Sequence, residues 1–251
     1  MAQYIVNKTK EIIGEDNITE YIEPSAGAGV FLNYLDKPYL AYDIEPEDER
    51  IKKQDFLKLN LEYKKGRCII GNPPFGDRKN NLYVKFYKKS IHECDYISFI
   101  LPAQQYKNDS ILYDFNLIYS EDLGVQQYTD RKLHCCFNIY QRNIKGLNKK
   151  PNHKLKDVVL TEHHRTRKPL LTNDYDLRIC AFGSSIGKIC EYPNRYCREI
   201  CFTILNEQHK QKIINLIINT DFKKNFPTIS ANCIEIGRLY KYIKEQIPEI
   251  N

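Results

Sequence analysis

Hydrophobic and polar positions along this 251-residue chain switch between two periods. From residue 3 to residue 14 apolar side chains recur at Ile5, Val6, Ile12 and Ile13, a helical stripe closed by Gly14. Tyr21-Ile22 then forms a short apolar strand leading into a glycine-bearing turn. Val30 to Leu35 has helical spacing, Pro38 breaks it, and Tyr39-Leu40-Ala41-Tyr42 predicts a strand ending at Asp43, which completes a βαβ unit. A charged loop, a short segment at Asp55-Phe56-Leu57 and a fully apolar strand, Cys68-Ile69-Ile70-Gly71, come next. Leu82 to Ile91 predicts a helix and Tyr96 to Leu101 a further buried strand. Phe115 to Tyr119 and Cys135 to Tyr140 predict two more, the last antiparallel because little helix separates it from its predecessor. Strands alternating with helices in this way predict an α/β fold with a doubly wound, mostly parallel sheet.

After Tyr140 the texture changes. Residues 143–153 are rich in Lys, Asn, Gly and Pro with few apolar positions, which predicts a linker between a domain at 1–142 and a smaller α+β region at 154–251. The latter holds a strand-like run from Glu199 to Leu205, helical patterns at Gln208 to Ile218 and Ile236 to Ile247, a basic cluster at His163-His164-Arg165-Thr166-Arg167-Lys168, and the segment Gly183-Ser184-Ser185-Ile186-Gly187-Lys188.

Composition narrows the class without naming it. A hydrophobic content of 42% supplies a core, and 38 Lys+Arg against 32 Asp+Glu leave a formal charge of +6, compatible with a polyanionic partner and equally with ordinary surface charge. Met1-Ala2-Gln3-Tyr4 is not the start of a secretion signal, and no apolar run is long enough to span a bilayer, so the expectation is a soluble cytoplasmic protein, in a host cell if viral. Nine cysteines, an odd number, then predict reduced thiols rather than a disulfide framework.

Two motifs carry the chemistry. The first, Glu23-Pro24-Ser25-Ala26-Gly27-Ala28-Gly29, follows a short strand, and its glycines let the backbone pass close to a ligand. Asp43, twenty residues past Glu23 at the end of the next strand, is placed to accept hydrogen bonds from a ribose diol, and Ile44 to cover an adenine ring. Asp55-Phe56 suits an adenine pocket, with a helix cap as the competing role of Asp55. A dinucleotide would demand G-x-G-x-x-G spacing and would set its pyrophosphate against Glu23, whereas a positively charged sulfonium suits an acidic turn.

The second motif, Asn72-Pro73-Pro74-Phe75, ends the apolar strand where open α/β sheets gather their ligands. The Asn72 amide oxygen and a neighbouring backbone carbonyl can accept from an NH2 group. The prolines fix φ and remove competing donors, and Phe75 offers its face to a planar ring. Together the motifs point to methyl transfer onto an exocyclic amine.

In order and content these residues resemble the S-adenosylmethionine-dependent N6-adenine DNA methyltransferases in their γ arrangement, over residues 1 to 142, and are similar to short single-chain members of phages and large viruses or their hosts. The resemblance implies a Rossmann-like methyltransferase sheet with S-adenosylmethionine as cofactor. It implies a cofactor site at Glu23, Pro24, Ser25, Ala26, Gly27, Gly29, Asp43, Ile44, Asp55 and Phe56, and a catalytic site at Asn72, Pro73, Pro74 and Phe75. It further implies double-stranded DNA as partner, a flipped adenine as substrate and a target-recognition region at 154–251. A homodimer and a separate cognate nuclease are compatible with it. The chain departs from the pattern in having Phe75 where Tyr is commoner, and in a short recognition region.

For that region the expectation is that Arg165, Arg167, Lys168, Ser184, Ser185 and Lys188 meet phosphates and base edges. Phe137 is a candidate for the wall opposite Phe75, with a place in the core as the stronger alternative. The Gly183 to Lys188 run is one residue short of a P-loop and has Ile189 where a hydroxyl belongs, which argues against ATP. Cys180, Cys190, Cys197 and Cys201 lack paired zinc spacing, so no metal is expected. Competing functions are a methyltransferase for an RNA adenine or a protein glutamine, since either presents a planar NH2, and an inactive DNA-binding relative.

Overall fold

The computed structural model describes residues 1–76, 80–128, 132–172, 174–228 and 232–251. The chain divides into two compact units, Met1–Lys150 and Pro151–Asn251. In the first, helix α1 (Ala2–Ile13) precedes strands β1 (Glu20–Glu23), β2 (Tyr39–Asp43), β3 (Lys52–Lys53) and β4 (Arg67–Gly71). Helix α2 (Leu82–Ser90) leads to β5 (Tyr96–Pro102), β6 (Asn116–Gln127) and β7 (Lys132–Gln141). In the second, β8 (Val158–His164), β9 (Leu177–Cys180) and β10 (Arg198–Ile204) are followed by α3 (Glu207–Asn219), α4 (Phe222–Asn225) and α5 (Ile236–Gln246).

The seven strands of the first unit form one sheet in the order β3-β2-β1-β4-β5-β7-β6. Pairing is parallel from β3 through β5, and β7 alone runs against its neighbours. Side chains alternate between faces with the period of two that strands impose. Tyr21, Cys68, Ile70, Ile100 and Phe137 pack on one face with Ile5 and Val6 of α1. Ile22, Ile69, Ile97, Phe99 and Leu101 pack on the other with Tyr83, Phe86 and Tyr87 of α2. Burial on both faces is why the central strands read as continuous apolar runs. The Thr9 and Ser98 hydroxyls pair at 2.6 Å, fixing α1 on β5.

Three expectations are corrected. The helix predicted over Val30 to Leu35 is a single 3-10 turn, Leu32–Tyr34. Gly27 and Gly29 stand at φ +52° and +70° just before it, Pro38 just after it, and too few residues remain to offset helix nucleation. The strand predicted at Phe115 to Tyr119 continues to Gln127, its extension kept in the ladder by irregularities at Leu117/Tyr119 and Asp122/Gly124. The polar stretch 143–153 is not free along its length. Gly146 N–H donates to Asn143 O and Asn148 N–H to Asp114 O, backbone contacts that composition cannot reveal.

The second unit is α+β. Its antiparallel sheet, in the order β8-β10-β9, presents Val158, Leu160, Ile179, Ile200 and Phe202 to a core completed by Ile213, Ile217, Leu239, Tyr240 and Ile243 of α3 and α5. Tyr240 Oη accepts from Leu160 N–H at 2.7 Å. Gly187 adopts φ +79°, and a Cβ there would come within 2.2 Å of the Phe222 ring. No helix among the described residues is long and apolar enough to cross a membrane.

Gly187→Ala should therefore destabilise this unit by about 2–4 kcal/mol, from backbone strain and overpacking together. Gly183→Ala, also at positive φ but with open space around its Cβ, should cost about 1–2 kcal/mol. Urea unfolding of the two variants side by side checks the difference.

Candidate functional site

β1 and β4 are neighbours, and both point their carboxyl ends toward the same edge of the sheet. The turn after Glu23 and the turn after Gly71 thus emerge side by side, joined where Ser25 Oγ donates to the Asn72 carbonyl at 3.5 Å. Two open clefts lie around them, of about 450 and about 440 Å3, each within the range that small ligands occupy. Asn72, Pro74 and Leu82 line both and form the partition between them.

Of the predicted cofactor residues, Pro24, Ser25, Asp43, Ile44, Asp55 and Phe56 line the larger cleft. Phe86 joins them, stacked on Phe56 with ring centroids 5.8 Å apart and planes inclined by 15°. Ile44 is largely exposed at the rim, as a cover for a flat ring would be. Asp43 also braces the turn, because Oδ2 accepts from Gly27 N–H at 2.8 Å and Oδ1 from Glu45 N–H at 2.9 Å. This ties the glycine turn to the end of β2 and leaves each oxygen a second lone pair for a ligand. Asp55 does cap a turn, accepting from Leu57 N–H at 3.0 Å, and it lines the cleft as well.

Glu23, Ala26, Gly27 and Gly29 do not line the cleft; they frame it. Glu23 is only 2% exposed, and its Oε2 has no hydrogen-bond partner among the described residues. Burial chiefly, with the Asp43 charge adding and Arg50 opposing, pushes its carboxyl up to about 8. Without a bound cation this side chain is a neutral acid at neutral pH.

The smaller cleft is lined by Asn72, Pro73, Pro74, Phe75, Gly76, Asn80, Leu82 and Tyr128. Gly76 is required at its position, since φ is +81° and a Cβ would lie 1.9 Å from Asn80 O. Asn72 Nδ2 donates to Tyr128 Oη at 3.3 Å, whereas Asn72 Oδ1 is buried without a partner among the described residues. The ring facing Phe75 is that of Tyr128, edge-on at 6.3 Å.

Phe137 is not that wall. It is 0% exposed, turned to the α1 face of the sheet and packed edge-on against Tyr119 at 5.8 Å. Strand alternation on β7 commits it to the core. Sequence reasoning misses Tyr128 because it lies past the end of β6 in a polar stretch; an aromatic at the tip of a hairpin is the available signal.

In the second unit the β8 and β9 strands end at the same edge of the sheet, opposite the start of β10, where His164 pairs with Arg198 and Cys180 with Glu199. Arg165, Arg167 and Lys168 on one turn, and Ser184, Ser185 and Lys188 on the other, therefore share that edge, all exposed except the half-buried Ser185. The Gly183 to Lys188 turn does not offer a backbone cradle for a phosphate. The N–H groups of Gly183, Ile186, Gly187 and Lys188 donate to Asn232, Gly183, Cys180 and Ser185 carbonyls, and Gly187 makes room for Phe222. All nine cysteines are free thiols.

No family model matches the chain, and no curated protein does. Among solved structures the chain is similar to a protein of Pyrococcus horikoshii assigned provisionally to the RNA methyltransferases, at 15% identity over 57% of this chain and 83% of that one, with a TM-score of 0.45. It is similar to the 23S rRNA methyltransferase ErmE at 12% identity over 59% and 69%, with a TM-score of 0.42. It is also similar to the N-methyltransferase NodS of Bradyrhizobium japonicum, crystallised with S-adenosyl-L-homocysteine, at 10% identity over 55% and 85%, with a TM-score of 0.41. All three TM-scores lie below 0.5.

The Glu23 carboxyl gives a pH prediction. Its folded value of about 8 stands above the ordinary 4.5, so folding takes up a proton and this contribution to stability is full below pH 4.5 and lost as pH rises to 8. Glu23→Gln, which removes the titration, should match the parent in acid and exceed it by roughly 2–4 kcal/mol above pH 8. Denaturant unfolding as a function of pH measures the crossover.

Proposed function

We propose that this chain transfers a methyl group from S-adenosylmethionine to the N6 amine of an adenine in double-stranded DNA. The observation that carries the reading is the buried, unpartnered Oδ1 of Asn72 in the partition between two clefts. An orphaned buried acceptor costs roughly 1–3 kcal/mol. A substrate NH2 entering the smaller cleft would supply the missing donor, and the reacting nitrogen would then lie beside the larger cleft.

The larger cleft fits the cofactor by the chemistry of its groups. Asp43 suits a ribose diol, Ile44, Phe56 and Phe86 suit an adenine ring, and the unpaired Glu23 carboxyl beneath the turn suits positive charge. Bound there, the cofactor supplies an electrophilic methyl group. The chain's own residues do the rest by positioning. Asn72 Oδ1 and the Pro73 carbonyl accept from the two amine protons, which draws the delocalised nitrogen lone pair out of the ring and toward the methyl; as the N–CH3 bond forms the sulfonium's S–CH3 bond would break, and one of the two amine protons leaves to solvent. Phe75 and Tyr128 hold the planar base. A base stacked in a duplex cannot place its ring between Phe75 and Tyr128, so the nucleotide must be extruded. The basic edge of the second unit and the formal charge of +6 support a polyanionic substrate.

Incubation of the protein with unmethylated duplex DNA and methyl-labelled cofactor, followed by nucleoside mass spectrometry, should yield N6-methyladenine. Asn72→Ala should lower the rate at least about 100-fold. Label in RNA or in protein glutamine with inert DNA would leave the catalytic site standing and overturn the substrate; label in none would overturn both. Cofactor binding should also release a proton near neutral pH as Glu23 ionises beside the cation, and calorimetry in buffers of different ionisation enthalpy should show that release abolished in Glu23→Gln.

A further inference from the structure

An asparagine amide can present either end to a substrate, and only one end accepts a hydrogen from an amine. What fixes the Asn72 amide lies on the far side of it. Its Nδ2 donates to Tyr128 Oη at 3.3 Å, Tyr128 Oη lies 3.6 Å from Cys135 Sγ, and Cys135 Sγ donates to the Leu133 carbonyl at 3.5 Å. These contacts have only one consistent polarity. The Leu133 carbonyl can only accept, so the thiol hydrogen points to it and the sulfur is left to accept the phenol hydrogen. The phenol oxygen, its proton so directed, must accept from Asn72, which turns the NH2 end toward Tyr128 and leaves Oδ1 to the cleft. Burial pushes the pKa of both the Tyr128 phenol and the Cys135 thiol up, so both keep their protons at neutral pH.

We infer that Tyr128 is a positioning residue: through a relay anchored on Cys135 and the Leu133 carbonyl, it holds the Asn72 amide in the one orientation that accepts from a substrate amine. This rests on the proposed methyl transfer and adds to it. The ring of Tyr128 beside Phe75 bounds the cleft, while its hydroxyl sets the direction of the amide, and the two contributions are separable by substitution.

Tyr128→Phe keeps the ring and removes the hydroxyl. It should lower kcat about 10- to 100-fold, the scale of a misplaced catalytic group, with KM for the DNA within about threefold because the wall is intact. Cys135→Ala leaves the phenol hydrogen without its acceptor and free to turn to Asn72, and should also lower kcat. Cys135→Ser retains a group that both accepts and donates and should keep kcat within about threefold of the parent. The amide itself is read without turnover from the 15N side-chain resonances of Asn72: protected from solvent exchange in the parent, unprotected in Tyr128→Phe. An unchanged kcat in Tyr128→Phe, or Asn72 NH2 protection that survives it, overturns the inference. A parent that shows the protected amide and its loss in Tyr128→Phe but transfers no methyl supports the clamp and ends the methyl-transfer reading, so the two failures are told apart.

Discussion

The parallel pairing of β1 with β4 is the constraint on which the site depends. Because Tyr21 lies against Cys68 and Ile22 against Ile69, two turns far apart in the chain leave the sheet at one edge, within a hydrogen bond of each other. A slip of one residue in that register would exchange the two faces of β4, turning Ile69 from the α2 side to the α1 side and carrying the Asn72 amide out of the partition. The close packing of differently shaped side chains on each face opposes such a slip, so the core holds the two turns in register.

That edge concentrates polar groups that the fold by itself leaves incompletely paired. Glu23 Oε2 and Asn72 Oδ1 are both buried and without partners among the described residues, whereas Glu20 and Arg67 pair with each other and Ser98 with Thr9. Buried unpaired polar groups cost stability; Asn72 lies in the partition of the two clefts and Glu23 lies just before the turn that frames one of them. One group wants positive charge and the other a hydrogen donor. The proposed reading assigns each of them a ligand, the two meeting at Asn72.

The second unit is built on a different principle. Its basic residues lie on turns that leave one end of a three-stranded sheet, and their side chains remain in solvent while the turn backbones bond among themselves. Exposed cations on a rigid edge act through long-range field and flexible contact rather than through a shaped pocket. Gly187, which in a linear reading belongs to a phosphate-like loop, serves the packing of Phe222.

Much was determined by the sequence alone, because period and turn chemistry are local. The apolar runs at Ile69 and Ile97 predicted doubly covered strands, and Asn72-Pro73-Pro74-Phe75 at the end of one of them predicted a turn, which lines a cleft. The absence of a full helix after Gly29 was beyond that reading, since the same spacing at Val30 to Leu35 serves a helix or a single turn, and only the length left between Gly29 and Pro38 decides. The tertiary structure alone chose between the two readings of Phe137, committed it to the core and brought Tyr128 to Phe75. It alone could show that Asn72 Oδ1 and Glu23 Oε2 are unpaired. Pairing and burial are sums over neighbours from every part of the chain, and no local pattern of residues contains them.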